Sequence, residues 1–254
     1  SKHILMKSLL LTGLLFILIL PGCRKETSIL PLLQSVEKLI PMYADSASVL
    51  LDSIQAPDEL TDKDFAHWCM LCGKVTDEAA TGLLPIYQWQ RAQQWFTEHG
   101  TAEEQAQIDL YLGRAYVEDG EYDKAMQIYA DALQLAKEHQ AYNVAGYICA
   151  YMADLYGFRD ITSECLKKRE EACEFFKKAE NYKSYAYSLK DLAGEWAILD
   201  SFACTIPLLQ KADSISQLLH NKNLTAAIAN AFALIYEMQG KYNEAETAYL
   251  KSIS

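Results

Sequence analysis

Residues 112–132 read LGRAYVEDGEYDKAMQIYADA, a segment in which small, aromatic and glycine positions follow a regular spacing. Gly113, Tyr116 and Gly120 each recur 120 residues later, as an alanine, a tyrosine and a glycine. A pattern that returns at a fixed distance indicates an internally repeated structure. The separation predicts two further copies between these segments, at a period of 40 residues.

The intermediate copies are visible at three positions of the 40-residue register. An aromatic residue occupies the first position in four copies, and Thr76 stands there one copy earlier: Tyr116, Tyr156, Trp196 and Tyr236. A small residue lies three places before it: Gly73, Gly113, Ala153, Ala193 and Ala233. A second small residue comes later in each copy: Ala92, Ala132, Ala172, Ala212 and Ser252. Small side chains at all ten positions make a chance register improbable.

This pattern resembles the tetratricopeptide repeat, a helix-turn-helix unit. The resemblance implies an all-α fold, a right-handed α-solenoid with a period of about 40 residues, over residues 61–254 in about five repeats, the last one truncated. Antiparallel helices approach closely where both carry small side chains, and we expect the aromatic residue to fill the hollow beside them. Gly120 and Gly240 are expected at turns that require a positive φ.

The N-terminus has the pattern of an export signal. An apolar run over 8–20 follows two lysines and is too short to span a ~30 Å hydrocarbon core. The next residues, Leu20-Pro21-Gly22-Cys23, resemble the lipobox of bacterial lipoproteins, which implies cleavage after Gly22 and lipidation of Cys23. We therefore predict that residues 1–22 are a lipoprotein signal peptide, and that the exported protein is lipid-anchored to a bacterial membrane, facing the periplasm. A plain signal peptide with a chance cysteine is the alternative.

Residues 23–60 precede the regular array and are predicted to form an N-terminal helical cap and connector. Apolar residues at helical spacing predict a helix over 28–40, which Pro41 ends, and a second short helix over 45–54. Such a degenerate pair covers the exposed end of a solenoid. Thr61 begins a motif that resembles a capping box and opens the first full repeat.

Composition and motifs exclude several classes of function. The chain has 23 Lys and Arg against 34 Asp and Glu, a net charge of −11, and no basic cluster, so nucleic-acid binding is not expected. The sequence has no phosphate-binding glycine loop, no Gly-x-Ser-x-Gly motif and no His-Glu-x-x-His motif. We therefore predict that the protein is not an enzyme and has neither a cofactor nor a metal site.

Histidines and cysteines do not alter that prediction. The five histidines are scattered and are interpreted as solvated or helix-capping residues. Cys69 and Cys72 have the spacing of half a metal or redox motif, but they fall on one inward helix face without a second pair, so we interpret them as small buried apolar residues. Cys149 and Cys165 belong to facing helices, which leaves a disulfide open in an oxidising compartment.

The concave groove of the array is the remaining candidate site, since solenoids of this kind bind partners along the inner face of their first helices. The groove binds a protein or peptide partner, or it is covered by the protein's own C-terminal segment, or it is empty. The repeat register places ten residues of mixed charge on this face: Gln107, Leu110, Arg114, Tyr147, Asp154, Tyr187, Lys190, Asn230, Leu234 and Glu237.

The lipobox, the repeats and the segment 44–54 together resemble tetratricopeptide lipoproteins of Gram-negative gut anaerobes. In some members the array precedes a transmembrane helix and a LuxR-type or histidine-kinase output region. The resemblance implies a membrane-anchored periplasmic scaffold, or the sensory region of a larger regulator. A sequence that stops inside a predicted helix is expected to be part of a longer protein. The alternative function is a glycan-binding nutrient-uptake lipoprotein beside an outer-membrane transporter.

Overall fold

The computed structural model describes residues 28–79 and 81–252, and the described residues form eleven α-helices, one short 3-10 turn at Pro57–Glu59 and no strand. The helices are α1 (Leu30–Asp52), α2 (Asp62–Ala79), α3 (Ile86–His99), α4 (Ala102–Glu118), α5 (Tyr122–Glu138), α6 (Tyr142–Phe158), α7 (Thr162–Lys178), α8 (Tyr182–Ile198), α9 (Phe202–Leu218), α10 (Lys222–Met238) and α11 (Tyr242–Ser252).

The helices repeat with the period that the sequence predicts. The first helices of four successive pairs, α4, α6, α8 and α10, begin 40 residues apart, and each has 17 residues. Their antiparallel partners α5, α7, α9 and α11 also begin 40 residues apart. Each helix packs mainly against its neighbours in the chain, as expected of a solenoid. The predicted fold class, an all-α solenoid of tetratricopeptide type, is confirmed.

Small residues bring the helices together, but a different ring fills the hollow from the one we expected. A Cβ atom added to Gly113 would lie 2.3 Å from the ring of Tyr129, and one added to Gly73 would lie 2.3 Å from the ring of Tyr111. Both rings are fully buried, whereas Tyr116 is half-buried at the rim of the core. The 40-residue register therefore predicted the close approach at Gly73 and Gly113 correctly, but the prediction that Tyr116 fills the hollow was wrong.

The seven turns from residue 120 to residue 240 are uniform, although only two of them have glycine at the left-handed position. Gly120 and Gly240 have φ values of 78° and 71°, as predicted. Five other residues at 20-residue intervals adopt the same left-handed conformation: Gln140, Asp160, Glu180, Asp200 and His220. In each turn the next N–H reaches back five residues to a helix carbonyl, at 2.8–3.3 Å, which completes a Schellman motif.

The first repeat departs from this uniform geometry. Helix α3 begins at Ile86, four residues later than the register requires, because an extended segment ends at Pro85, the N-cap of α3. Thr76 replaces the usual aromatic residue, and its hydroxyl donates to the carbonyl of Cys72 at 2.9 Å.

The N-terminal segment packs on the first repeat as one kinked helix. The two predicted helices form a single element, α1, which is interrupted at Tyr43 (φ −140°, ψ 52°), two residues after Pro41. Half of the predicted capping box is present, because the Thr61 hydroxyl accepts the Asp64 N–H at 3.2 Å. The Asp64 carboxylate instead accepts the Ile29 N–H at 3.1 Å and so ties α1 to α2.

The predicted signal peptide and Cys23 lie outside the described residues. None of the helices in residues 28–79 and 81–252 is both long and apolar enough to cross a membrane.

Candidate partner-binding cleft

An open cleft of about 540 Å³ lies on the first-helix side of the array, and we call it the central cleft. Helices α2, α4, α6 and α8 supply most of its wall, and α7 contributes two side chains to its floor. Its residues are Thr76, Asp77, Glu78, Thr81, Arg114, Glu118, Tyr147, Ala150, Tyr151, Asp154, Arg169, Phe176, Lys183, Ser184, Tyr187, Ser188 and Asp191.

One end of the central cleft is organised around Arg114. Its guanidinium forms an ion pair with Asp77, whose other carboxylate oxygen accepts the Tyr111 hydroxyl at 2.7 Å. The same guanidinium lies 4.8 Å from the centre of the Tyr151 ring, within cation–π range. Burial raises the pKa of Asp77 above its ordinary value, although Arg114 and Tyr111 oppose the shift. Burial likewise raises the pKa of Tyr151 to about 12, so this hydroxyl stays protonated.

The floor of the central cleft contains a second arginine, Arg169, which comes from the second helix of its pair. Its side chain is 12% exposed and pairs with Asp154 at 2.7 Å and with Glu195 at 3.4 Å. Burial alone would lower the pKa of Arg169, but Asp154 and Asp191 outweigh that effect and raise it, so the guanidinium remains charged. Its buried Nε has no hydrogen-bond partner among the described residues.

One contact joins distant repeats across the central cleft, and another joins neighbouring repeats. Lys183 of α8 pairs with Glu78 of α2 at 3.0 Å, although the two residues are 105 positions apart in the sequence. The hydroxyls of Tyr147 and Ser184 lie 2.8 Å apart and connect α6 with α8. Curvature of the array therefore brings the first and fourth pairs of helices close enough to enclose one site.

The residues that line the central cleft carry a net negative charge. Five carboxylates and three cations line it, and all three cations, Arg114, Arg169 and Lys183, already have carboxylate partners. Tyr147, Tyr151 and Tyr187 add aromatic surface. Such a surface complements a ligand with positive charge and apolar or aromatic groups.

The structure brings together four of the ten residues predicted to line the groove. Arg114, Tyr147, Asp154 and Tyr187 line the central cleft. A smaller cleft of about 340 Å³ contains Lys190 and Leu234, and it shares Arg169 and Asp191 with the central cleft, so the two are adjacent.

The other four predicted residues lie elsewhere. Gln107 lines a separate hollow of about 490 Å³ beside α1 and α2. Asn230 is exposed, and the exposed Glu237 accepts the Tyr249 hydroxyl at 3.0 Å. Leu110 was assigned to the groove wrongly: it is 1% exposed and packs in the core, because the first-helix face turns inward at that position.

Sequence reasoning missed Asp77, Tyr151 and Arg169. Arg169 was missed because the groove was projected from first helices alone, and its long side chain reaches the cleft from a second helix. Asp77 follows the weakest position of the register, Thr76, so no pattern pointed to it. Tyr151 lies four residues after Tyr147, and this one-turn spacing is a signal that could have identified it.

Five of the six cysteines in the described residues are at least partly buried, and Cys204 is exposed. Cys149 and Cys165 are both free thiols in the structure. Burial raises the pKa of Cys149 to about 12 and that of Cys165 to about 11, so the reactive thiolate is disfavoured. Cys69 and Cys72 are also free, and burial raises the pKa of Cys72 to about 12. No group of three His, Cys, Asp or Glu side chains within residues 28–79 and 81–252 is arranged to hold a metal ion.

Comparison with known proteins supports the fold class. Two segments, residues 110–139 and 225–254, match the tetratricopeptide repeat family. They coincide with the two copies in which the small, aromatic and glycine positions are clearest. No curated protein sequence is significantly similar to this chain.

Solved structures with the same fold share little sequence with the chain. BtubC (BKLC) from P. vanneervenii superposes with a TM-score of 0.61 at 15% identity, over 89% of this chain and 90% of that one. The apo form of RapI gives a TM-score of 0.61 at 15% identity, over 87% and 94%. A Rap protein in complex with Competence and Sporulation Factor gives 0.59 at 16% identity, over 87% and 63%. These similarities establish a shared solenoid architecture.

Proposed function

We propose that this chain is a non-catalytic scaffold whose central cleft binds a polypeptide segment of a partner protein. The observation that carries the proposal is the cleft itself, an open site of about 540 Å³ walled by the first helices of successive repeats. Its concave, partly polar wall has the properties of a recognition site. A Rap protein of similar fold is found in complex with a partner, Competence and Sporulation Factor, which supports a binding role.

The charges of the central cleft favour a basic segment. Because Arg114, Arg169 and Lys183 are already paired, an acidic ligand would have to displace an existing ion pair. Glu118 is exposed in the cleft, and the half-buried Asp191 is paired only with its chain neighbour Lys190, so a lysine or arginine of the partner can contact both carboxylates. Tyr187 adds an aromatic side chain to the same lining. Electrostatic complementarity of this kind sets specificity and association rate.

Fluorescence anisotropy with two labelled decapeptides tests this proposal. One peptide alternates lysine with tyrosine, and the other alternates glutamate with tyrosine, so that length and aromatic content are matched. We expect the lysine peptide to bind at least about tenfold more tightly, and its affinity to fall as salt is raised. We expect Asp191→Lys to weaken that binding by about tenfold, roughly 1.4 kcal/mol.

The matched control is Glu246→Lys, which changes the net charge equally at an exposed position on α11 outside the central cleft. It should leave the affinity of the lysine peptide unchanged. Equal binding of the two peptides, or an equal loss in Asp191→Lys and Glu246→Lys, would contradict the proposed site.

We further propose that the scaffold is exported and held at a bacterial membrane, facing the periplasm, by lipid on Cys23. The support is the lipobox Leu20-Pro21-Gly22-Cys23 behind an apolar run. Several acyl chains at ~0.8 kcal/mol per methylene would make the anchor permanent. A periplasmic location is also compatible with a sensory region of a larger regulator.

Intact mass of the membrane-extracted protein tests the anchor. We expect the N-terminal residue to be Cys23, with an added mass of a diacylglyceryl group and an acyl chain, and we expect Cys23→Ala to abolish that addition. A mature chain that begins at another residue, or that carries no lipid, would refute the anchor and leave the central cleft proposal intact.

A further inference from the structure

A second hollow, of about 620 Å³, lies apart from the central cleft, between the C-terminal ends of α7 and α9. Tyr185 of α8 is buried at its base, and Tyr182 and Ile215 form its sides. Its walls are mainly apolar, and its volume is within the range of small-molecule sites. We call it the lysine-rimmed hollow, because Lys177, Lys178 and Lys211 stand around it.

The preceding repeat shows how the equivalent position is filled. There Tyr142 and Phe175 are stacked, with ring centres 6.2 Å apart and planes at 16°. The Nζ atom of Lys178 lies 5.6 Å from the Tyr142 ring and 5.8 Å from the Phe175 ring, so an ammonium group covers the aromatic pair. In the preceding repeat, two stacked rings covered by a lysine therefore fill this position.

The next repeat lacks that ring. Forty residues after Tyr142 and Phe175, the register places Tyr182 and Ile215. Isoleucine has no ring to stack, so Tyr182 is 47% exposed and contacts no other aromatic ring among the described residues. The lysine-rimmed hollow lies against Tyr182 and Ile215, the two positions that correspond to the stacked pair one repeat earlier.

The charge of the lysine-rimmed hollow is opposite to that of the protein as a whole. Three lysines line it, and Glu180 is the single carboxylate among the described residues that line it, in a chain with a net charge of −11. Lys177, Lys178 and Lys211 form no ion pair with a described residue. The Nζ of Lys211 lies 5.3 Å from the Tyr185 ring, which places this charge over the base of the hollow.

We propose that the lysine-rimmed hollow binds a small aromatic carboxylate. The ligand's ring stacks on Tyr182, in the place that Phe175 takes on Tyr142, and its carboxylate lies among Lys177, Lys178 and Lys211. The ring gains a stacking contact, and the carboxylate gains three ammonium partners that form no ion pair with a described residue. The site is separate from the central cleft, so the protein can hold both ligands together.

Titration of the full chain with indole-3-acetate and with indole-3-acetamide tests this inference, because the two probes share a ring and differ in charge. We expect saturable binding of indole-3-acetate in the roughly millimolar range by calorimetry, as suits a ligand of this size. We expect the amide to bind at least about fivefold more weakly, since it loses the charge-assisted contacts.

Two sets of variants distinguish the contribution of ring stacking on Tyr182 from the contribution of the lysines. Ile215→Phe restores the ring found one repeat earlier and should abolish binding of both probes, while Ile215→Val should preserve it. Lys177→Gln combined with Lys211→Gln should weaken acetate binding towards that of the amide, because only Lys178 remains, and should leave amide binding unchanged. Circular dichroism verifies that each variant is folded.

Unaltered acetate binding in Ile215→Phe, equal affinity for the two probes, or no saturable binding would overturn the proposal. Asp191→Lys in the central cleft should not affect indole-3-acetate. The two proposals therefore fail independently.

Discussion

Asp109 is a carboxylate that the fold holds in an unfavourable environment. It lies half-buried on α4, where the Gln93 side chain of α3 donates a hydrogen bond to it at 2.6 Å. Burial raises the pKa of Asp109 to about 6, and the nearby Asp131 adds to the effect, while the Gln93 hydrogen bond opposes it. The group is therefore ionised at neutral pH at a cost in folding free energy.

This shift makes stability depend on pH in a defined direction. Because folding raises the pKa of Asp109, protonation of this carboxyl favours the folded state. This contribution to stability is complete below the ordinary pKa of 3.8 and is lost as the pH rises through about 6. We expect Asp109→Asn to raise the free energy of unfolding by about 2 kcal/mol near neutral pH, and to have little effect near pH 4. Urea denaturation at several pH values measures this difference.

The control is Asp123→Asn, since the Asp123 side chain is 92% exposed. Its effect should stay below about 1 kcal/mol at every pH. If Asp109→Asn destabilises the protein at neutral pH, or if its effect does not change with pH, the raised pKa of Asp109 does not account for the pH dependence of stability.

The sequence predicts single residues well where sterics decide and poorly where side-chain direction decides. Gly73 and Gly113 were predicted at close approaches because only small residues fit there, and the adjacent rings confirm them. Tyr129 was not predicted as the ring that fills the hollow, because the register gives a position along a helix but not the rotamer of a side chain. Leu110 was misassigned for a similar reason: a small rotation of the helix decides between groove and core.

At the scale of the helices, the turns are strained in a repetitive way. Every turn from residue 120 to residue 240 uses a left-handed residue, and only Gly120 and Gly240 adopt that conformation without steric cost. The helix boundaries were predictable from the period, but a left-handed glutamine or glutamate was not, because nothing in those residue types requires it. The constant length of the helices imposes this conformation on whichever residue occupies the position.

A reciprocal pair of substitutions measures that strain. Gln140→Gly should stabilise the protein by about 0.5–1 kcal/mol, because glycine adopts a φ of 58° without a Cβ clash. Gly120→Ala should destabilise it by about 1 kcal/mol, and the cause is backbone strain alone, since an added Cβ would meet no atom within 4 Å. Chemical denaturation of both variants gives the two values. Changes of the same sign would contradict this explanation.

At the scale of the whole molecule, the site arises from the superhelix rather than from any one repeat. The central cleft combines residues from Thr76 to Asp191, and the ion pair of Lys183 with Glu78 joins its two sides. The sequence predicts the repeat, its period and the concave face, because each follows from local spacing. It does not predict which repeats meet across the cleft, because that depends on the small rotation accumulated between successive pairs.

The most direct test of the account is site-specific photocrosslinking in the native host. A benzophenone amino acid replaces Tyr187 in the central cleft, and in a second strain it replaces Tyr242, which is 72% exposed on α11 outside the cleft. The account predicts a discrete polypeptide adduct from position 187, lost when Asp191→Lys is added, and no such adduct from position 242. An adduct from position 242 alone, or no polypeptide adduct at position 187, would contradict the claim that the central cleft binds a protein partner.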